Sequence, residues 1–165
     1  MAERTLFYLH DLPDYQVASG YPDVRGWEVK DSEDRTVGTV ENLLVNKKTE
    51  RVVYLDVEVN KQVIQEGHEP YEKTVREVHE FVNKEGEDHL IIPIGLAELD
   101  EKNKKVLCAV INHETFRSAK RIERGSTIAP EYEIQLYHHY LPAQKTDQPL
   151  GIDEEFYERK AFQRK

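Results

Sequence analysis

The chain has 165 residues, enough for one domain with a substantial core plus an extension. Charged residues make up 33% and apolar ones 38%, and the formal net charge is −9. That balance argues against a nucleic-acid partner, because phosphate binding needs clustered lysine and arginine.

At the N-terminus, residues 4–15 carry Leu6, Phe7, Tyr8 and Leu9 ahead of Asp11 and Asp14. They read as a short strand or a hydrophobic strip that docks on the main domain. The apolar patch is too short for a signal-peptide core. No apolar run approaches the length of about 18 residues that a membrane helix needs. A cytoplasmic chain without a membrane span is therefore expected. The single cysteine, Cys108, excludes an internal disulfide and suits a reducing compartment.

A turn around Gly20 and Pro22 leads into residues 23–59, the stretch around which the chain is organised. Residues 25–30 form a short strand carrying Trp27 and Val29, and the polar turn 31–34 follows. Residues 36–45 form a second strand, in which Gly38 marks a bulge or a close backbone approach. After the turn 46–49, residues 52–59 alternate: Val53, Leu55, Val57 and Val59 share a buried face, Tyr54, Asp56 and Glu58 a wet one. The pattern predicts a β-meander. At its entry, Asp23 and Arg25 form an ion pair, Gly26 permits an unusual backbone, and Trp27 anchors the core.

Residues 62–74, with Gly67 and Pro70, read as a loop. Residues 75–82 allow two readings. Val75, Val78, His79 and Val82 suit an amphipathic helix. Residues 78–82 also pair naturally with 89–94 across a turn at Gly86, and this hairpin is favoured. The apolar run Leu90-Ile-Ile-Pro-Ile is a buried strand, with Pro93 at an edge or barrel corner and Gly95 just beyond. Residues 96–99 and 106–111 form a second hairpin. The latter is apolar on both faces and is expected to be a central strand, with Cys108 an inert core residue.

The runs DVRGWEV, VGTVENLLV, RVVYLDVEV and LIIPIG, in that order, resemble the PRC-barrel family. That family includes the cytoplasmic domain of the photosynthetic reaction-centre H subunit and the C-terminal domain of a ribosome-maturation factor. The resemblance spans residues 15–111, about two-thirds of the chain. It implies a mainly β fold, a small, strongly bent PRC-barrel-like β-barrel with a short helical C-terminal extension. It also marks Asp23, Arg25, Gly26, Trp27, Gly38, Pro93 and Gly95 as structural motif positions. The expected organisation is an N-terminal segment 1–14, the barrel domain 15–112 and a helical extension and tail 113–165. The H subunit carries a membrane anchor that has no counterpart in these residues, and the maturation factor carries a separate N-terminal domain.

Beyond residue 112 the character changes. Asn112 is an N-cap for a short helix to Ala119. Gly125 breaks the chain, and Pro130 opens a helix to Tyr140 in which Tyr132, Leu136 and Tyr140 are spaced by four. A linker precedes a short helix from Asp153 holding Phe156, Tyr157 and Phe162. Tyr132, Leu136, Tyr140, Phe156, Tyr157 and Phe162 are the interface candidates, since aromatic anchors dominate protein contacts.

No recognisable catalytic set is present. His79-Glu80 and His113-Glu114 begin like a zinc-protease helix, but the second histidine is replaced by Asn83 and Arg117. There is no nucleophile elbow and no phosphate-cradling glycine motif. His68, His79 and His89 are the candidate metal ligands, with Glu80 or Asp88 completing the set. The basic segment 120–124 reads as a solvated polar stretch. The expectation is a non-catalytic protein-interaction or assembly module without a cofactor, forming a homo-oligomer or joining complexes like those of the H subunit. An RNA or ribosome-assembly adaptor and a small metal-binding protein are the alternatives.

Overall fold

The computed structural model describes residues 6–12, 23–46, 51–61, 87–141 and 162. Among these residues eight strands form one sheet: β1 (Leu6–Tyr8), β2 (Glu28–Lys30), β3 (Thr36–Asn46), β4 (Arg51–Val59), β5 (Glu87–Pro93), β6 (Glu98–Asp100), β7 (Lys105–Leu107) and β8 (Ile122–Glu123). Among the described residues two α-helices are defined, α1 (His113–Ser118) and α2 (Pro130–Tyr140). The strand order is β6-β7-β2-β3-β4-β5-β8, with β1 added beside β3. Among the described strands only the β2–β7 pair is parallel.

The alternating valines and leucines of 36–59 make the longest ladder, β3 against β4, and β3 also divides one edge between two partners. Its first half pairs β2 and its last residues pair β1. Register shifts fall at Val29/Lys30, Val40/Asn42 and Leu44/Val45. Each such irregularity locally bends and twists its strand, as the curvature of a small barrel requires, although the end strands β6 and β8 do not pair with each other among the described residues.

At Gly38 the backbones come so close that a Cβ would lie 2.2 Å from the Glu58 carbonyl oxygen. The obstacle is main chain and cannot swing aside. Gly38→Ala is therefore expected to lower stability by about 1–3 kcal/mol, read as a lower denaturant midpoint. An unchanged midpoint would mean that β4 gives way there.

The motif positions sit where strands begin and end. The Asp23 carboxylate accepts from the Arg25 guanidinium, with Nε at 2.9 Å, and the pair holds the Asp23 carboxyl below its ordinary value. Gly26 follows with φ +92° and donates its N–H to the Val40 carbonyl at 2.7 Å. Trp27 is buried in the core. Pro93 closes β5, and Gly95 lies in the buried 3-10 turn Ile94–Leu96.

Three local features depart from the sequence pattern. The strand expected over 106–111 ends at Leu107. The Ile111 N–H bonds the Cys108 carbonyl at 3.1 Å, so the chain turns. Cys108 and Ile111 stay buried while Val110 is 58% exposed. Second, β7 lies between β6 and β2 but contributes only three residues. Third, the face of β4 read as wet is buried at Tyr54 and Asp56, and only Glu58 remains exposed.

Helix α2 and Phe162 account for the burial of Tyr54. The Tyr54 hydroxyl donates to Glu133 Oε1 at 3.0 Å, and the Tyr140 hydroxyl donates to the Ile91 carbonyl at 2.9 Å. Both helix starts follow the sequence signals. Asn112 Oδ1 accepts from the Thr115 N–H at 2.8 Å, and Pro130 occupies the first turn of α2. Phe162 meets Tyr54 edge-on with centroids 5.3 Å apart and stacks on Tyr137 at 6.3 Å. Its carbonyl accepts from the Arg51 guanidinium at 2.9 Å.

Of the interface candidates, Leu136, Tyr140 and Phe162 are thus buried in this chain's own core rather than left for an interface. Tyr132 is partly buried, and its hydroxyl bonds the Lys120 carbonyl at 2.6 Å. Phe156 and Tyr157 lie outside the described residues, as do His68, His79 and the hairpin or helix at 75–82.

Candidate functional site

The meander brings one group of ionisable side chains together on the face of β4 that carries Asp56. In the β3–β4 ladder Val40 pairs with Val57 and Asn42 with Asp56, so Glu41 is the unpaired extra residue of a bulge. A bulge re-aims the side chain of its extra residue. Glu41 reaches His89, which the β4–β5 register places directly opposite Glu58.

His89 is 1% exposed. Its Nδ1 lies 2.8 Å from Asp56 Oδ1 and its Nε2 lies 3.0 Å from Glu41 Oε2. Nδ1 is hydrogen-bonded to Asp56, whereas Nε2 and Glu41 Oε2 face each other without a well-aligned hydrogen bond. Asp88 stands further off, its Oδ1 3.8 Å from Nε2. The outer oxygen of Glu41 pairs with Arg124, whose side chain is otherwise largely exposed.

Burial favours the neutral ring of His89, but the hydrogen bond and charge of Asp56, with the charges of Glu41 and Asp88, outweigh it and raise its pKa. The Glu41 carboxyl is also pushed up. Burial is the main cause and neighbouring Glu58 adds to it, against the pull of His89 and Arg124.

Beside this group opens a cleft of about 520 Å³ lined by Tyr8, Arg25, Glu41, Asn42, Asp56, Arg124 and Gly125. Its wall alternates guanidinium and carboxylate groups, so it suits a polar or charged segment better than an apolar ligand. Elements distant in sequence build it. The Tyr8 hydroxyl donates to the Ser126 carbonyl at 2.8 Å, fixing β1 to the loop that presents Arg124.

A second buried carboxylate, Asp31, is structural. It accepts from the N–H groups of Glu33 and Arg35 at 2.8 and 3.0 Å and so holds the β2–β3 turn, where Asp34 takes φ +64°. His113, from the incomplete zinc-helix motif, lies near Asp31 rather than in the cleft. Within the basic segment, Arg121 is fully buried and Arg124 is paired to Glu41. Cys108 is buried, as a core residue would be.

Of the three histidines proposed as ligands from sequence, the described residues include only His89, and the structure surrounds it with carboxylates. Glu41, Glu58 and Asp56 were not singled out by the sequence pattern. The available signal was the interruption of apolar strands, by Glu41 in VENLLV and by Asp56 in YLDV.

The PRC-barrel domain family model matches residues 16–115, more than half of the chain's 165 residues. The bent β meander and this match agree, and the chain belongs to the PRC-barrel family. The domains of that family are generally non-catalytic modules that commonly mediate protein interactions. No curated protein matches the chain in sequence. Strands β1 and β8 and helix α2 lie outside the matched segment yet add to the same core. Among the described residues no helix is long and apolar enough to cross a membrane.

Proposed function

We propose that the chain is a non-catalytic assembly module that works through protein contacts, beginning with a second copy of itself, in the cytoplasm. The observation that carries this reading is the cleft beside β3 and β4, where exposed Arg25 and Arg124 stand beside partly exposed Glu41. Such a charge pattern is complementary to itself under a two-fold rotation, the usual symmetry of homodimers. Family membership supports the same reading, and attachment to electron-transfer complexes like those of the H subunit is the wider setting it suggests. The RNA-adaptor reading loses support, because Arg121 of the basic segment is buried.

The test is sedimentation of the full chain beside an Arg25→Glu/Arg124→Glu variant. Both side chains are more than one-third exposed, so the fold should survive, as circular dichroism would check. A dimer is expected for the native chain and a monomer for the variant. A variant that sediments like the native chain would remove the cleft from the interface.

A further inference from the structure

We infer that Glu41, Glu58 and His89 form a binding site for a divalent transition-metal ion, with Zn²⁺ the best fit to its one imidazole and two carboxylates. This goes beyond the assembly reading and does not depend on it. The three candidate ligand atoms lie within 4.8 Å of one another. Zinc binds nitrogen and oxygen at about 2.0–2.2 Å, so tetrahedral ligands stand roughly 3.3–3.5 Å apart. The His89 and Glu41 atoms are already at 3.0 Å, and exposed Glu58 can close the remaining gap by side-chain rotation.

Two independent features point to a ligand rather than to a chance meeting of acids. The first is Asp56, itself buried, on the far nitrogen of the ring. A carboxylate holding Nδ1 so that Nε2 faces a cation is the usual second layer of a histidine–metal site. The second is Glu41 Oε2, which is closed off from solvent and accepts no well-aligned hydrogen bond among the described residues. The bulge aims this oxygen at Nε2, while Arg124 occupies the other oxygen of the same carboxylate. Glu41 can therefore bind through Oε2 and keep its arginine.

Local charge agrees. Glu41, Asp56, Glu58 and Asp88 surround one imidazole and one guanidinium, so a cation relieves repulsion that those two groups leave uncompensated. Three protein ligands also leave a fourth position open to water or to a donor from a partner.

The experiment is equilibrium dialysis of the full chain, free of any histidine tag, against Zn²⁺, followed by metal analysis and competition with a zinc-chelating dye. One equivalent per chain is expected. Glu58→Gln, at an exposed position that should not disturb folding, is expected to weaken binding at least 10-fold. Asp56→Asn is expected to weaken it by about 10–100-fold. Circular dichroism of each variant separates lost binding from lost fold. Substoichiometric zinc in the native chain would overturn the inference. So would a Glu58→Gln variant that binds as tightly as the native chain, since the ion would then sit elsewhere.

Discussion

Phe162→Ala is expected to lower the unfolding free energy by about 3–5 kcal/mol, the range for removing a buried aromatic ring. The ring is fully buried and lies between Tyr54 of β4 and Tyr137 of α2. Tyr54 is in turn tied to Glu133 of the same helix, so the cavity would open at the seam between sheet and helix. Neither side can collapse freely, because the helix is also fixed by the Tyr140 bond to the Ile91 carbonyl. Urea or guanidinium denaturation measures the loss. A change below about 1 kcal/mol would show that residue 162 lies on the surface in solution. The same contact bears on any truncation before residue 162. Removing Phe162 uncovers the core, so a shortened chain reports stability and assembly together. Point variants of the full chain separate the two.

His89→Ala is the other large effect. Asp56 is 2% exposed, and His89 is its charge partner in the β4–β5 ladder. Removing one member of a buried pair leaves the other charge without compensation, at a cost of about 3–5 kcal/mol. Glu41 loses the same partner, though Arg124 remains on its outer oxygen. The measurement is again a denaturant midpoint, taken with a metal chelator present so that bound ions do not contribute. The double variant His89→Ala/Asp56→Ala should lose less than the two single losses combined, because their interaction is counted twice in that sum. Additive losses would mean that the two residues do not interact.

Much of the fold is legible in the sequence because it follows from local chemistry. The alternation in 52–59, the polar turn at 31–34, the Asn112 cap and Pro130 at a helix start each depend on neighbours a few residues away. Gly38 is legible for the same reason, and the structure supplies its cause, the Glu58 carbonyl. What sequence reading misses depends on distant partners. Asp56 reads as solvent-facing because charge on an alternating strand usually is. It is buried because His89, 33 residues away, completes its hydrogen bonding. Tyr54 is covered by a helix 79 residues further along. Leu136, Tyr140 and Phe162 read as an interface for the same reason, since nothing near them in sequence reveals the sheet face they cover. Glu41 depends on a bulge, and a one-residue shift of register leaves little trace in hydrophobic periodicity.

The most direct test of the assembly reading is the solution mass of the intact native chain by light scattering across a dilution series. A species of twice the 19.3 kDa chain mass is expected at the concentrated end, falling toward one chain on dilution. A mass of one chain at every concentration would contradict self-assembly.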